Sequence, residues 1–118
     1  MELFVREKYL KKMRGFYHDT EIIKVITGVR RSGKSCLMQM VKNELLQGGV
    51  LSGNIIFLDL DGKVYRKVKS ADGLEALIDK YSEADGTKYL FIDEIQNVKD
   101  FEEVVNAFRG SGEYSIFI

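Results

Sequence analysis

The sequence lacks several features that define common classes of protein. It contains no proline, no tryptophan, one histidine and one cysteine among its 118 residues. The single cysteine, Cys36, cannot form a disulfide within the chain, which suits a reducing compartment. No apolar run approaches the roughly 20 residues that a membrane-spanning helix needs, and the N-terminus has no signal-peptide core. We therefore expect a cytoplasmic protein with no membrane partner.

The chain also has no excess of either positive or negative side chains. The formal net charge is zero, so nucleic acid is not indicated as a partner. The two signs are unevenly placed, however, because residues 1–53 carry a net charge of +5 and residues 54–118 a net charge of −5. The split fits either a site where phosphates meet cations and a metal meets carboxylates, or chance scatter of surface charge.

Apolar runs of strand length alternate with stretches of helical spacing, and no linker divides them. The pattern predicts one domain over residues 1–118, of the α/β class, with a mainly parallel sheet flanked by helices. Residues 1–21 are expected to form an N-terminal helical segment within it. Residues 63–69 fit either a hairpin strand or an irregular connection. The predicted strands are residues 22–27, 54–60, 89–92 and 114–118.

Polar residues before two of the predicted helices indicate where those helices begin. Ser70 is placed to cap a helix, and Asp100 with Glu103 has the spacing of a capping box. The strand at residues 22–27 is rich in β-branched side chains and is predicted to be buried on both faces. Its neighbour in the sequence, residues 28–33, breaks the strand pattern before a helix.

Residues 28–35 read Gly-Val-Arg-Arg-Ser-Gly-Lys-Ser, which fits the phosphate-binding loop pattern in full. Gly28 and Gly33 would let the backbone wrap around a phosphate, and the loop amides with the following helix would form a positive nest. Lys34 would bridge the β- and γ-phosphates, and Ser35 would offer a hydroxyl ligand to Mg²⁺. A glycine-rich turn without ligand is the alternative, but a strand before and a helix after favour the loop.

Two carboxylates, Asp93 and Glu94, follow the apolar strand at residues 89–92. Ligands of open α/β sheets bind at the carboxyl ends of the strands, so this is where a site is expected. Asp93 would hold Mg²⁺ through its water shell, and Glu94 would act as general base on the attacking water.

The Arg30-Arg31 pair inside the loop and the Asp-Glu-Ile-Gln run at residues 93–96 narrow the choice among phosphate-loop proteins. Together they resemble the ATP-binding domain of a widespread prokaryotic AAA-type predicted ATPase family. The resemblance implies a P-loop core that binds ATP or ADP with Mg²⁺ and hydrolyses ATP. Similar proteins continue past the strand at residues 114–118 into a sensor segment and a C-terminal domain. The domain is therefore expected to be incomplete at its C-terminal side, without a sensor or an arginine finger.

The expected function is Mg-ATP binding with weak or incomplete hydrolysis. A nucleotide-dependent interaction module without significant hydrolysis is the alternative, and a nucleotide kinase is disfavoured by the paired carboxylates. The predicted catalytic residues are Glu94 and Lys34, and the predicted metal ligands are Ser35 and Asp93. The predicted nucleotide-binding residues are Gly28, Arg30, Arg31, Ser32, Gly33, Lys34, Ser35 and Cys36.

Family topology places the strand at residues 114–118 between the strands at residues 22–27 and 89–92. Residues 22–27 would then lie at a sheet edge, open unless the N-terminal segment, a second copy or a partner chain covers it. Two further polar residues, Asp59 and Asp61, are read as turn chemistry beside a glycine rather than as a second carboxylate pair.

Overall fold

The computed structural model describes residues 3–26 and 31–118, with side chains described for residues 7–26 and 33–118. The chain has the predicted α/β fold, a parallel sheet flanked by helices. Within the described residues, no helix has the length and apolarity needed to cross a membrane. The helices are α1 (Leu3–Met13), α2 (Arg31–Gln47), α3 (Ala71–Lys80) and α4 (Phe101–Gly110), and the strands are β1 (Ile55–Asp59), β2 (Lys88–Asp93) and β3 (Tyr114–Phe117).

The three strands are parallel and lie in the order β1-β2-β3. The register pairs Asp59, the last residue of β1, with Asp93, the last residue of β2. Two acidic residues therefore stand side by side at the carboxyl edge of the sheet. Between β1 and α3 the chain forms turns and bends without a strand, so residues 63–69 are an irregular connection and not a hairpin partner.

Residues 24–26 run parallel to β3 along its other side. The Lys24 N–H donates to the Ile116 carbonyl at 2.9 Å, and the Ile118 N–H donates to the Lys24 carbonyl at 2.9 Å. Strand β3 thus lies between this segment and β2, which confirms the predicted strand order. Residue 27, the last of the predicted strand, lies outside the described residues.

The prediction that this edge segment is buried on both faces is wrong. Ile26 is buried, but Val25 is 55% exposed and Ile22 is 49% exposed. Successive side chains of an extended segment point to opposite faces, and Val25 borders an open cavity that it shares with α1 residues such as Lys8 and Tyr9. The described part of this segment pairs with β3 through a single isolated bridge at Lys24 and is not a regular strand, so apolar composition predicted the pairing but neither a full strand nor the neighbours that would cover it.

The sheet separates two hydrophobic clusters. One packs α1 and α2 against one face, with Phe91 of β2 stacked on Phe117 of β3 at a centroid distance of 4.5 Å. The other packs α3 and α4 against the opposite face, around Leu90, Ile92 and Leu74. Since side chains alternate along β2, residues 89, 91 and 93 share the α2 face. This alternation directs Asp93 toward α2.

The α1 helix is joined to α2 by charge as well as by packing. Arg14, just after α1, donates to both carboxylate oxygens of Glu44 on α2, at 2.9 and 2.8 Å, and also contacts Glu7. The Arg14 guanidinium lowers the pKa of Glu44. Tyr17 donates its hydroxyl to the same Glu44 at 3.0 Å and is buried, so it belongs to the core.

The helix starts differ in how well local signals predict them. Ser70 caps α3, since its hydroxyl accepts from the Gly73 N–H at 3.1 Å. The capping box predicted for α4 is wrong: the Asp100 side chain makes no cap hydrogen bond, and its backbone is left-handed at φ 60°. Instead, the Asp100 carbonyl accepts from the Glu103 N–H at 3.3 Å. A cap needs an extended backbone at its first residue, and spacing alone does not report that.

Candidate functional site

Two of the predicted site residues, 58 positions apart in the chain, meet at the carboxyl edge of the sheet. The Ser35 hydroxyl, on α2, donates a hydrogen bond to Oδ2 of Asp93, at the end of β2. Helix α2 brings Ser35 there because Leu37, Met38 and Val41 anchor it on the sheet. The two residues predicted as metal ligands are therefore in direct contact.

The carboxylate of Asp93 is buried and only half satisfied. Asp93 is 2% exposed, and its Oδ1 has no hydrogen-bond partner among the described residues. A buried carboxylate oxygen without a partner is costly, because desolvation is not repaid by a bond. Such oxygens are rare in folded proteins and call for an explanation, of which a bound cation is one.

Ser35 and Asp93 both line a cleft of about 280 Å³ beside the end of β1. The cleft is open to solvent and mixes polar with apolar walls. Its position matches the crevice where open α/β sheets bind their ligands. Its described lining residues are Ser35, Gln39, Phe57, Asp59, Gly62, Lys63, Val64, Tyr65 and Asp93.

Asp59 is a cleft residue that sequence reasoning did not assign. Its Oδ1 accepts from the Asp61 N–H at 3.1 Å, and its carbonyl accepts from the Gly62 N–H at 3.1 Å. The turn role predicted for Asp59 is thus confirmed, yet its side chain also lines the cleft beside Asp93. The signal was available in the sequence, because the carboxyl ends of neighbouring parallel strands meet at one edge.

Glu94 has a different setting from Asp93. Its backbone is left-handed, with φ 60° and ψ 41°, so the strand ends there. The residue is 9% exposed, and its Oε2 accepts a 2.5 Å hydrogen bond from Nε2 of Gln96. Glu94 is not among the described residues that line the cleft. Left-handed backbone in a residue other than glycine carries strain and often marks functional sites.

A short 3₁₀ turn, Ile95–Asn97, follows Glu94 and holds Gln96 in place. Ile95 is 5% exposed and Val98 1%, and both belong to the cluster on the α3 and α4 face. The turn closes with the Asn97 N–H donating to the Glu94 carbonyl at 3.1 Å. Gln96 is itself exposed, so its amide connects a buried carboxylate to the surface.

Part of the predicted phosphate loop lies outside the described residues, namely Gly28 and Arg30. Arg31 and Ser32 are described by their backbone alone, as the first residues of α2. Gly33 is buried and helical, so α2 begins earlier than the sequence indicated. Further along α2, Lys34 and Cys36 are half-buried, and Cys36 is a free thiol.

The possible metal ligands at this edge of the sheet are oxygen atoms of Ser35 and Asp93. Among the described residues, no three His, Cys, Asp or Glu side chains are grouped as a metal cage. Mg²⁺ does not need one, since it keeps several waters and binds through one or two protein oxygens plus substrate phosphates. The Ser35 hydroxyl and the unpartnered Oδ1 of Asp93 supply oxygens of that kind. The residues present therefore fit a hydrated magnesium ion.

A buried lysine stands in the edge segment just before the predicted loop. Lys24 is 6% exposed, and its Nζ donates to the Ser115 hydroxyl at 2.8 Å and to the Asp19 carbonyl. It also lies 4.8 Å from the centroid of the Phe117 ring. Burial lowers the pKa of Lys24 to about 8, against the opposing effect of the Asp19 charge. Its ammonium is thus engaged by the protein itself.

This parallel sheet, with a hydroxyl and a carboxylate meeting at its carboxyl edge, defines an α/β protein of the P-loop NTPase type. A family model described as an AAA domain matches residues 20–118. The chain therefore belongs to the AAA domain family. Membership supports the ATPase-like, nucleotide-binding class that the sequence predicted.

Two relatives match almost the whole chain. An uncharacterized protein of Haemophilus influenzae is 42% identical over 114 residues, which cover 96% of this chain and 28% of that protein. An uncharacterized protein of Methanocaldococcus jannaschii is 31% identical over 114 residues, which cover 92% of this chain and 24% of that protein. The chain thus spans about a quarter of the length of these curated relatives. No solved structure matches significantly.

Proposed function

We propose that this chain is the Mg-ATP-binding domain of an ATPase and that it hydrolyses ATP. The observation that carries the proposal is the Ser35–Asp93 contact, with Asp93 Oδ1 buried and unpartnered among the described residues. These atoms lie at the edge where α/β sheets bind nucleotides. Membership of the AAA domain family supports the same class.

Each site residue has a role that follows from its chemistry. Lys34 would place its charge on the β- and γ-phosphates, and residues 28–33 would donate backbone N–H groups to them. Ser35 and Asp93 would hold Mg²⁺, which neutralises phosphate charge and orients the phosphates when bound. Glu94 would accept a proton from the attacking water as general base.

A second candidate is an interaction module that binds nucleotide without significant hydrolysis. One observation favours it: the Glu94 carboxylate is bonded by Gln96, and Glu94 is absent from the described lining of the cleft. A base acts only within hydrogen-bond reach of the water it activates. The two candidates share the binding step and differ in the fate of the γ-phosphate.

Thermal melts with and without Mg-ATP test the binding step. A ligand at about 100 times its Kd stabilises the folded state by about 2.7 kcal/mol, so Tm is expected to rise clearly. Lys34→Ala is expected to abolish the rise, and Asp93→Asn to remove its dependence on Mg²⁺. The exposed Lys67→Ala is the matched control and should retain the full rise. A wild type whose Tm does not respond to Mg-ATP would refute the binding proposal.

Phosphate release separates the two candidates. If the chain is an ATPase, Glu94→Gln is expected to lower kcat by about 10² or more, the usual contribution of a general base. The same variant should keep the nucleotide-induced rise in Tm. Equal phosphate release by wild type and Glu94→Gln would leave the interaction module as the function.

The compartment is proposed on similar grounds. The single free thiol of Cys36 requires no oxidising environment, and ATP with Mg²⁺ is the proposed ligand. We therefore propose a cytoplasmic location.

A further inference from the structure

Strand β1 ends in a carboxylate, Asp59, that the proposed function does not use. The register pairs Asp59 with Asp93, the last residue of β2. Two residues earlier, the rings of the paired Phe57 and Phe91 stack at a centroid distance of 5.4 Å. Because side chains alternate along a strand, Asp59 and Asp93 lie on the same face of the sheet as these rings. Their carboxylates therefore stand side by side, and both line the cleft.

The two carboxylates form a pair of like charges without a cation between them. Neighbouring strands are about 4.8 Å apart, and like charges directly opposite each other on a sheet are destabilising. Among the residues whose side chains are described, no lysine or arginine forms an ion pair with either carboxylate. Water can solvate the exposed Asp59, but the Oδ1 of Asp93 is buried and unpartnered within the described part of the chain. A cation bound beside Asp93 would therefore interact favourably with both groups.

The turn after β1 holds one oxygen of Asp59 and leaves the other accessible. Its Oδ1 accepts a hydrogen bond from the Asp61 N–H at 3.1 Å, whereas none of the described residues donates to its Oδ2. Glycine at position 62 contributes to this, because a Cβ on Gly62 would lie 3.1 Å from that oxygen and crowd it. Asp59 thus presents a fixed carboxylate with one oxygen available to a ligand in the cleft.

We propose that Asp59 binds the magnesium ion of the cleft through a water molecule, in addition to Ser35 and Asp93. The inference rests on the proposed function, since it assumes that the ion lies at Ser35 and Asp93. Mg²⁺ keeps several waters at about 2.1 Å, and a hydrogen bond from such a water spans about 2.7 Å. A water-mediated contact therefore reaches about one strand spacing, which is the separation between the ends of β1 and β2.

Two substitutions at Asp59 separate its charge from its role in the turn. Asp59→Asn keeps an oxygen that can accept from the Asp61 N–H, and it removes the charge. Asp59→Glu keeps the charge on a longer side chain and gives up the geometry of the turn. Both are at an exposed position, where substitutions usually leave the fold intact. Asp79→Asn, at an exposed position on α3, is the matched control.

Calorimetric titration of the full-length protein with a non-hydrolysable ATP analogue, in excess Mg²⁺ and in EDTA, is the measurement. The ratio of the two Kd values reports how strongly the bound complex holds Mg²⁺. Loss of an outer-shell partner typically costs about 10- to 100-fold in metal affinity, so Asp59→Asn is expected to lower the ratio at least about tenfold. Its Kd in EDTA should be no weaker than that of the wild type. Asp59→Glu should keep the ratio within about threefold, even with a lower Tm.

The possible outcomes distinguish this inference from the proposed function. An unchanged ratio in Asp59→Asn, an equal weakening in Mg²⁺ and EDTA, or a loss in Asp59→Glu alone would overturn the role of Asp59 and leave nucleotide binding intact. The Asp79→Asn control should match the wild type in both titrations. A wild type that binds the analogue equally well with and without Mg²⁺ would reject the metal site of Ser35 and Asp93, and this inference with it. A wild type that does not bind the analogue would reject the proposed function itself.

Discussion

At the scale of single residues, two of the buried charged groups in the described part of the chain, Asp93 and Lys24, have opposite consequences. Asp93 keeps one carboxylate oxygen unpartnered among the described residues, whereas the Lys24 ammonium donates to the Asp19 carbonyl and to the Ser115 hydroxyl. An unsatisfied buried polar atom lowers stability and is retained where function uses it. The buried ammonium of Lys24, by contrast, mainly affects how the free energy of unfolding depends on pH.

We expect the free energy of unfolding to rise by about 1–2 kcal/mol between pH 8 and pH 10. The pKa of Lys24 is lowered to about 8 in the folded chain, so in this range the unfolded chain binds a proton that the folded chain does not. Stability therefore increases with pH. Above pH 10 the trend reverses, because burial raises the pKa of Tyr17 and only the unfolded chain releases that proton.

Urea unfolding at a series of pH values checks this expectation. Lys24→Met should remove the rise between pH 8 and pH 10, because it removes the titrating group. Lys67→Met, at an exposed position, should keep the rise. A wild-type curve that is flat or falling over this range would contradict the account of Lys24.

At the scale of elements, the two helices on the α3 and α4 face begin in different ways. Ser70→Ala is expected to lower the free energy of unfolding by about 1 kcal/mol, because it removes the bond to the Gly73 N–H. Asp100→Asn is the matched substitution at the start of α4. It should change stability by less than about 0.5 kcal/mol, since the Asp100 side chain makes no cap bond and Asn tolerates left-handed backbone. Equal losses measured by thermal or urea unfolding would show that the caps do not differ.

Some features of this molecule follow from its sequence, and others depend on the folded chain. The cap formed by Ser70 was predictable because capping involves only residues close together in the sequence. The order of the strands was predictable from family topology. The capping box predicted at Asp100 is wrong because it depends on a backbone dihedral angle, which residue spacing does not indicate. The prediction that Val25 is buried is wrong because burial depends on which other elements cover a strand. The contact of Gln96 with Glu94 depends on a left-handed turn and two side-chain conformations, which no pattern of residue types specifies.

At the scale of the whole molecule, the open edge at residues 24–26 is the feature with consequences for assembly. Lys24 bonds to β3 through both its N–H and its carbonyl, so in a parallel pairing the backbone of Val25 faces the other way. None of the described residues bonds to it. We propose that a second copy of the chain pairs with this edge, since open edges readily accept another strand.

Val25→Lys is therefore expected to reduce self-association in sedimentation equilibrium without lowering Tm. Val25 is 55% exposed, so lysine fits there, and charge on an edge opposes pairing. Val64→Lys, at a position 81% exposed and away from the edge, is the control and should associate like the wild type. A wild type that stays monomeric at every concentration would exclude this edge as a self-association surface.

The separation of the core into two clusters has a consequence for how a ligand protects the molecule. Ser35 belongs to the layer formed by α1 and α2, whereas the turn after Asp93 is anchored in the layer formed by α3 and α4. A ligand bonded to both Ser35 and Asp93 would tie α2 to strand β2, whose two faces contribute side chains to both clusters. Bound nucleotide should then slow proteolytic cleavage in both layers alike, and cleavage sites far from the cleft would record its occupancy.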